Sequence, residues 1–102
     1  MYERKNLSKL KELETNTPEA MKAFAAFDKA ALSGGVIPHK YKELMAIAVA
    51  LTTQCPYCID IHSNKAREVG ASEQEISEVV MVAAALRAGA AITHGTHALK
   101  GV

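Results

Sequence analysis

The spacing of apolar residues along the chain is helical almost throughout. Successive apolar stripes, separated by turn residues, predict helices at about residues 6–14, 18–32, 38–52, 56–69, 72–93 and, more briefly, 95–99. No stretch alternates with period two, so we expect no strand longer than a few residues. The pattern predicts an all-α protein: one domain over residues 1–102, built as a compact bundle of about five to six helices.

Capping residues support these boundaries. Thr17 is expected to cap the second helix, with Pro18 in its first position. Gly70 is expected to end the fourth helix, because glycine accepts the left-handed conformation found there. Residues 72–75, Ser-Glu-Gln-Glu, match a capping box that starts the fifth helix. The third helix is apolar on every side after Glu43, so we expect it at the centre of the fold.

The apolar content is high for so small a chain. Of 102 residues, 49% are apolar, and residues 44–53 and 79–86 carry no charge. A domain of this size leaves much of its surface in water, and large bare apolar surfaces are rare there. We therefore expect a homo-oligomer that shares its core between subunits.

Charge and hydropathy exclude several classes of protein. The net charge is +1, there are five aromatic residues and no Trp, so neither a basic patch nor a base-stacking surface for nucleic acid is predicted. The N-terminus lacks the apolar segment of a signal peptide. Residues 79–93 are shorter than the roughly 20 that span a bilayer, and Arg87 interrupts them. A cytoplasmic protein with no membrane partner is the expectation.

The richest chemistry lies in residues 55–62, Cys-Pro-Tyr-Cys-Ile-Asp-Ile-His. Cys55 and Cys58 can form a disulfide across the first turn of a helix, whose N-terminus favours thiolate. His62 follows at helical spacing on the same face and can take a thiol proton. Cys-Pro-Tyr-Cys also resembles the glutaredoxin motif, but no βαβ unit surrounds it here.

Glu43 is the fourth candidate. It stands at the edge of the most apolar helix, so its carboxylate should be partly desolvated, with a raised pKa useful for proton transfer. The helix break at residues 53–56 would fold the next helix back beside it. Taken alone, Glu43 reads as a surface carboxylate and His62 as a structural histidine.

Other interpretations stay open. The possible zinc ligands are Cys55, Cys58, His62 and Glu43. Neither a resident metal nor a bound cofactor is predicted, however. His39 is expected at the surface where a helix starts, and His94 and His97 are expected at the surface or at a helix end. Tyr57 could gate the site, with packing as the default expectation. A favourable helix dipole is expected for Asp60, and an intersubunit ion pair for Arg87.

The pattern Glu43-x11-Cys55-x2-Cys58-x3-His62 is similar to the active-site pattern of the AhpD-like alkylhydroperoxidases, within the carboxymuconolactone decarboxylase superfamily. The resemblance runs from about residue 27 to residue 99, and includes the apolar helix before the cysteines and the Ala-rich helix after them. It is considerably more specific than a pair of cysteines alone.

The resemblance implies a role for each residue. Cys58 would attack a small peroxide substrate, Cys55 would resolve the product, and His62 with Glu43 would hold Cys58 as thiolate and relay protons. An external dithiol, lipoyl or thioredoxin-like, would restore the thiols, and the helical bundles would assemble into a homotrimer or homohexamer. The alternatives are a zinc-binding or redox-sensing module, and a decarboxylase or isomerase that uses Glu43 or His62 as its base.

Overall fold

The structure, a computed structural model, describes residues 2–101, and every regular element in that range is helical. Its five α-helices are α1 (Leu10–Asn16), α2 (Pro18–Leu32), α3 (His39–Thr53), α4 (Pro56–Glu68) and α5 (Glu73–Gly95). Single 3-10 segments, Arg4–Lys9 and Thr96–Ala98, precede α1 and follow α5. The all-α prediction is confirmed.

The junction between α1 and α2 differs from the prediction. Thr17 does not cap α2, because its hydroxyl donates to the carbonyl oxygen of Leu13 at 2.6 Å. Thr17 follows α1 and precedes α2, and its side chain bonds to α1, the helix before it. Pro18 does occupy the first turn of α2, as predicted.

The predicted helix ends near α5 are confirmed. Gly70 has φ +95°, a left-handed conformation that costs glycine little. The Ser72 hydroxyl accepts from the Glu75 backbone N–H at 3.0 Å, and the Glu75 carboxylate accepts from the Ser72 backbone N–H at 2.9 Å. Two otherwise free N–H groups are thereby satisfied.

The core forms where α3 packs between α4 and α5. Its buried apolar members are Leu44 and Ile47 of α3, Ala66 of α4 and the loop residue Ala71, against which three half-buried side chains pack: Leu51, Ile76 and Val79. The predicted central position of α3 is correct for this face. On another face of the same helix, Met45 and Val49 are 49% and 60% exposed.

The single chain is less compact than the sequence analysis expected. Its radius of gyration is 17.1 Å, against about 13 Å for a compact domain of this length. Large apolar side chains remain exposed, among them Phe24, Phe27, Met81, Val82, Leu86 and Ile92. The helices therefore carry apolar faces that one copy of the chain does not cover.

Helix α5 carries five of the exposed large apolar side chains, which are Val80, Met81, Val82, Leu86 and Ile92. Glu73–Ala98 is long and apolar enough to cross a bilayer by length and composition, a test that core helices of soluble proteins also pass. The helix continues well beyond residues 79–93, so the length argument made from the sequence does not hold. Arg87 donates to the carbonyl oxygen of Thr52 at 2.6 Å, which gives its guanidinium a partner within the chain.

Candidate active site

A sharp turn brings the cysteine-bearing helix alongside α3. Gln54 ends α3 with φ 58° and ψ 46°, in the left-handed region. The backbone N–H of Cys55 then donates to the carbonyl oxygen of Ala50 at 3.0 Å, and Pro56 starts α4. The chain thus reverses within two residues, and α4 packs antiparallel to α3.

Cys55 and Cys58 are free thiols in contact at the start of α4. Their Sγ atoms lie 2.7 Å apart. Cys55 is the N-cap of α4, and its Sγ accepts from the backbone N–H of Cys58 at 3.3 Å. This is the helix N-terminal position where negative charge on sulfur is stabilised.

The surroundings of the two thiols shift their pKa values in opposite directions. The pKa of Cys55 is lowered, chiefly because its sulfur accepts hydrogen bonds from the Cys58 thiol and from the Cys58 backbone N–H. The same contact with Cys55 raises the pKa of Cys58 to about 11, with further contributions from burial and from the charges of Cys55 and Asp28. Cys55 is therefore the more acidic of the two thiols, whereas the family pattern led us to expect the thiolate on Cys58.

Glu43 is buried and binds two imidazoles. Its side chain is 1% exposed. Oε1 lies 2.7 Å from Nδ1 of His62, and Oε2 lies 2.8 Å from Nε2 of His39. The sequence predicted that the helix break could bring Glu43 to the cysteines; the structure instead places its carboxylate on His62 of the cysteine-bearing helix. The connection of Glu43 to the sulfurs runs through His62, because the carboxylate bonds to the two imidazoles.

The pKa of Glu43 is lowered, so the raised pKa expected from the sequence is wrong. Burial is the largest single influence and acts upward, but the hydrogen bonds from His62 and His39 and their charges together outweigh it. Glu43 is therefore an ionised carboxylate at neutral pH, and it can only accept hydrogen bonds. Both imidazole nitrogens that contact it must donate.

Cys58 and His62 open into one largely apolar pocket between α2, α3 and α4, with a volume of about 440 Å³. Its other lining residues are Asp28, Ala31, Leu32, Ile37, Lys42, Met45, Ala46, Val49, Ala50 and Thr53. Cys55 and Glu43 are not in this lining. The pocket thus exposes one sulfur and one imidazole to a molecule inside it.

A second and more polar pocket, of about 360 Å³, has Glu43 in its lining. His39 and Glu43 line it together with charged residues of α2 and α4, which are Asp28, Lys29, Lys65 and Glu68. His62 therefore lines the first pocket and His39 the second, and Glu43 bonds to both imidazoles.

Two residues of the site were not predicted from the sequence. His39 was expected to be an ordinary surface residue, but its side chain is only 43% exposed and bonds to Glu43. The spacing of four between His39 and Glu43, both near the start of one helix, was the signal available. Asp28 was not singled out, because nothing in its spacing indicated the thiol pocket.

The residues beside the cysteines bind the N-terminal segment. The Tyr57 ring packs edge-on against Tyr2, with centroids 4.6 Å apart, so packing is the role observed for it. The Asp60 carboxylate accepts from Nε of Arg4 at 2.6 Å. The bonds from Arg4 and Tyr2 hold the pKa of Asp60 well below its usual range, an interaction that the sequence did not indicate.

No metal-binding cluster is apparent in residues 2–101. Within that range, no three His, Cys, Asp or Glu side chains are grouped so that they could hold an ion. His94 and His97 contact each other, with ring centroids 5.7 Å apart, and line a small pocket with Thr93. Both histidines are exposed, as expected.

The chain is similar in sequence to a known protein family and to individual proteins. The family model described as the carboxymuconolactone decarboxylase family matches residues 18–101. A protein of the cox locus of Paracoccus denitrificans is 46% identical over 77 residues, which are 76% of this chain and 69% of that protein. A Haemophilus influenzae protein is 43% identical over 89 residues, 87% of this chain and 79% of that one.

Two crystal structures are similar in fold to this chain. A carboxymuconolactone decarboxylase family protein from Legionella pneumophila, solved in its apo form, has a TM-score of 0.78 and 31% identity over 81% of this chain and 74% of its own. A protein from Methanobacterium thermoautotrophicum has a TM-score of 0.80 and 30% identity over 86% and 99%. Fold, helix order and sequence agree: the chain belongs to the carboxymuconolactone decarboxylase family.

Proposed function

We propose that the protein is a dithiol-dependent hydroperoxide reductase or disulfide oxidoreductase that uses Cys58 and Cys55. The observation that supports it most is the shared pocket: Cys58 and His62 line it together, and the second sulfur lies 2.7 Å behind the first. A nucleophile, a base and a resolving thiol are then within reach of one bound molecule.

His62 supplies the proton transfer. Because Nδ1–H of His62 donates to Glu43, the unprotonated nitrogen of the neutral ring is Nε2, which is free to act as a base. As Cys58 Sγ attacks the distal oxygen of a hydroperoxide, His62 takes the thiol proton and gives it to the departing alkoxide. The O–O bond breaks, an alcohol leaves, and Cys58 becomes a sulfenic acid.

Cys55 completes the reaction. Its thiol loses a proton to solvent, and the thiolate attacks the sulfenic sulfur of Cys58 to form the S–S bond. The S–O bond breaks, and the departing hydroxide takes a proton from solvent to become water. The peroxide has then been reduced to alcohol and water, and the two thiols have been oxidised to one disulfide. The lowered pKa of Cys55 suits this step, because attack requires thiolate.

An external dithiol restores the enzyme. Two exchange steps transfer the disulfide to the dithiol and leave Cys55 and Cys58 reduced. A lipoyl group or a thioredoxin-like protein has the required chemistry. The mainly apolar pocket favours an organic hydroperoxide, since an alkyl chain can lie against Met45 and Val49, for example.

We further propose that the working form is a cytoplasmic homotrimer or homohexamer. The exposed apolar residues of α2 and α5 support this, because such surfaces are rarely left in water. Subunit contacts would cover the face of α5 that one chain leaves open.

The test is steady-state consumption of an alkyl hydroperoxide with dihydrolipoyl and thioredoxin-type reductants. The parent should turn over with at least one of them, and Cys58→Ser should be inactive. Ser63→Ala is a matched control on the same helix, since the Ser63 hydroxyl bonds to the helix backbone. A Cys58→Ser protein that consumes peroxide as fast as the parent would refute the assignment.

A further inference from the structure

His39 is the part of this site that the proposed mechanism does not use. It is the first residue of α3 and lies one turn before Glu43. Its Nε2 is 2.8 Å from Oε2 of Glu43, while its outer edge meets the polar pocket. His39 therefore contacts neither the thiol pocket nor the sulfurs.

The carboxylate between the two imidazoles has no other anchor for Oε2. At 1% exposure, Glu43 cannot satisfy that oxygen with bulk water, and an unbonded oxygen on a buried ionised carboxylate is costly. No buried side-chain nitrogen or oxygen in the described part of the chain lacks a partner. Loss of the His39 bond would favour rotation of the carboxylate away from its present plane.

That rotation would be felt at His62. A hydrogen-bond acceptor at Nδ1 favours the neutral tautomer that carries its proton there. With Oε1 displaced, the tautomer that carries the proton on Nε2 becomes populated. That tautomer cannot accept a proton from Cys58 through Nε2.

We propose that His39 is a positioning residue: by donating Nε2–H to Oε2 it orients the Glu43 carboxylate, which in turn keeps Nε2 of His62 available as the base facing the thiol pocket. The catalytic consequence rests on the proposed function, whereas the effect on the His62 tautomer does not. The carboxylate acts through His62, and His39 acts through the carboxylate.

The test compares His39→Met, which fills a similar volume without the donor, with His39→Gln, whose amide nitrogen can replace Nε2. Lys40→Met is the matched control, since Lys40 is the next residue in α3 and its ion pair is with Glu75. Two quantities are measured on each full-length protein: the ¹⁵N chemical shifts of His62, which distinguish the neutral tautomers, and the single-turnover rate of peroxide consumption.

In the parent and in Lys40→Met, the two His62 nitrogens should differ in shift as expected for one tautomer. In His39→Met the shifts should converge and the rate should fall by about tenfold, the factor carried by one hydrogen bond to a charged group. His39→Gln should restore both. Unchanged His62 shifts in a folded His39→Met protein would overturn the proposal, and so would a failure of His39→Gln to restore them.

The two hypotheses fail separately. A parent protein that does not consume peroxide, but whose His62 shifts converge in His39→Met, contradicts the proposed function and supports the positioning role. If His39→Met does not fold, the comparison of His39→Gln with the parent decides alone: matching His62 shifts support the proposal, and converged shifts overturn it.

Discussion

Nδ1 of His62 lies 2.7 Å from Oε1 of Glu43, which joins α4 to α3 across 19 positions of sequence. Because the carboxylate is ionised and can only accept, His62 must be the donor. The other nitrogen of the same ring is left without this proton, and the ring lines the same pocket as Cys58. Under the proposed function, this contact between two helices sets up the relay that moves the thiol proton of Cys58.

Removal of the carboxylate charge should slow peroxide reduction. In Glu43→Gln the side chain keeps its shape, but it no longer stabilises the imidazolium that forms when His62 takes a proton. We expect the single-turnover rate to fall by about 100-fold, at the low end of what acid–base catalysis contributes. Glu73→Gln is the control, since Glu73 is an exposed partner of Arg67. A Glu43→Gln protein as fast as this control would contradict the relay.

The two thiols should react with an alkylating agent in a fixed order. Iodoacetamide requires thiolate, and the pKa of Cys55 is lowered whereas that of Cys58 is about 11. Cys55 should therefore be labelled first at neutral pH. Far above neutrality, the labelling of Cys58 should rise about tenfold for each pH unit up to its pKa. Fragment-ion mass spectrometry locates the label, and earlier labelling of Cys58 would contradict the charge distribution.

The Arg4–Asp60 contact should make stability depend on acid pH. The folded pKa of Asp60 is depressed, so its contribution is present above the unfolded value of about 3.9 and is lost as pH falls through the folded value. In urea titrations Arg4→Met should be less stable than the parent at pH 6. The difference should shrink as pH falls below about 4; a difference that grows in acid would contradict this linkage.

A charge on the open face of α5 should prevent assembly. Val82 is 57% exposed in one chain and lines an apolar groove with Tyr41, Leu44, Met45, Ala48, Glu78 and Val79. Light scattering should show a trimer or hexamer for the parent and smaller species for Val82→Lys. Gln74→Lys, at the polar start of the same helix, should assemble like the parent. A monomeric parent would contradict the shared core.

The sequence predicted most helix boundaries because they depend on local chemistry. Gly70 and the Ser72–Glu75 capping box act within one turn, and their effects can be read from neighbouring residues. The return of α4 beside Glu43 was also predicted from the break at residues 53–56, although the contact expected there was with the cysteines and the one observed is with His62. Thr17 was misassigned because two helices compete for one side chain.

The features that were not predicted from the sequence depend on contacts between distant residues or between copies of the chain. The pKa of Glu43 is lowered because the hydrogen bonds and charges of His62 and His39 together outweigh burial, and the pKa of Cys58 depends on Cys55 and on Asp28 from α2. The single chain is also less compact than predicted, because apolar side chains of α2 and α5 are left open, as the high apolar content had indicated.

The most direct test of the account is the site of oxidation after one equivalent of an alkyl hydroperoxide. In Cys55→Ser the resolving thiol is absent, so Cys58 should accumulate as sulfenic acid and be trapped by dimedone, as mass spectrometry can locate. In the parent the same treatment should give a disulfide between Cys55 and Cys58. The central claim would be contradicted if Cys58 in Cys55→Ser stayed unmodified while Cys55 in Cys58→Ser took up dimedone rapidly.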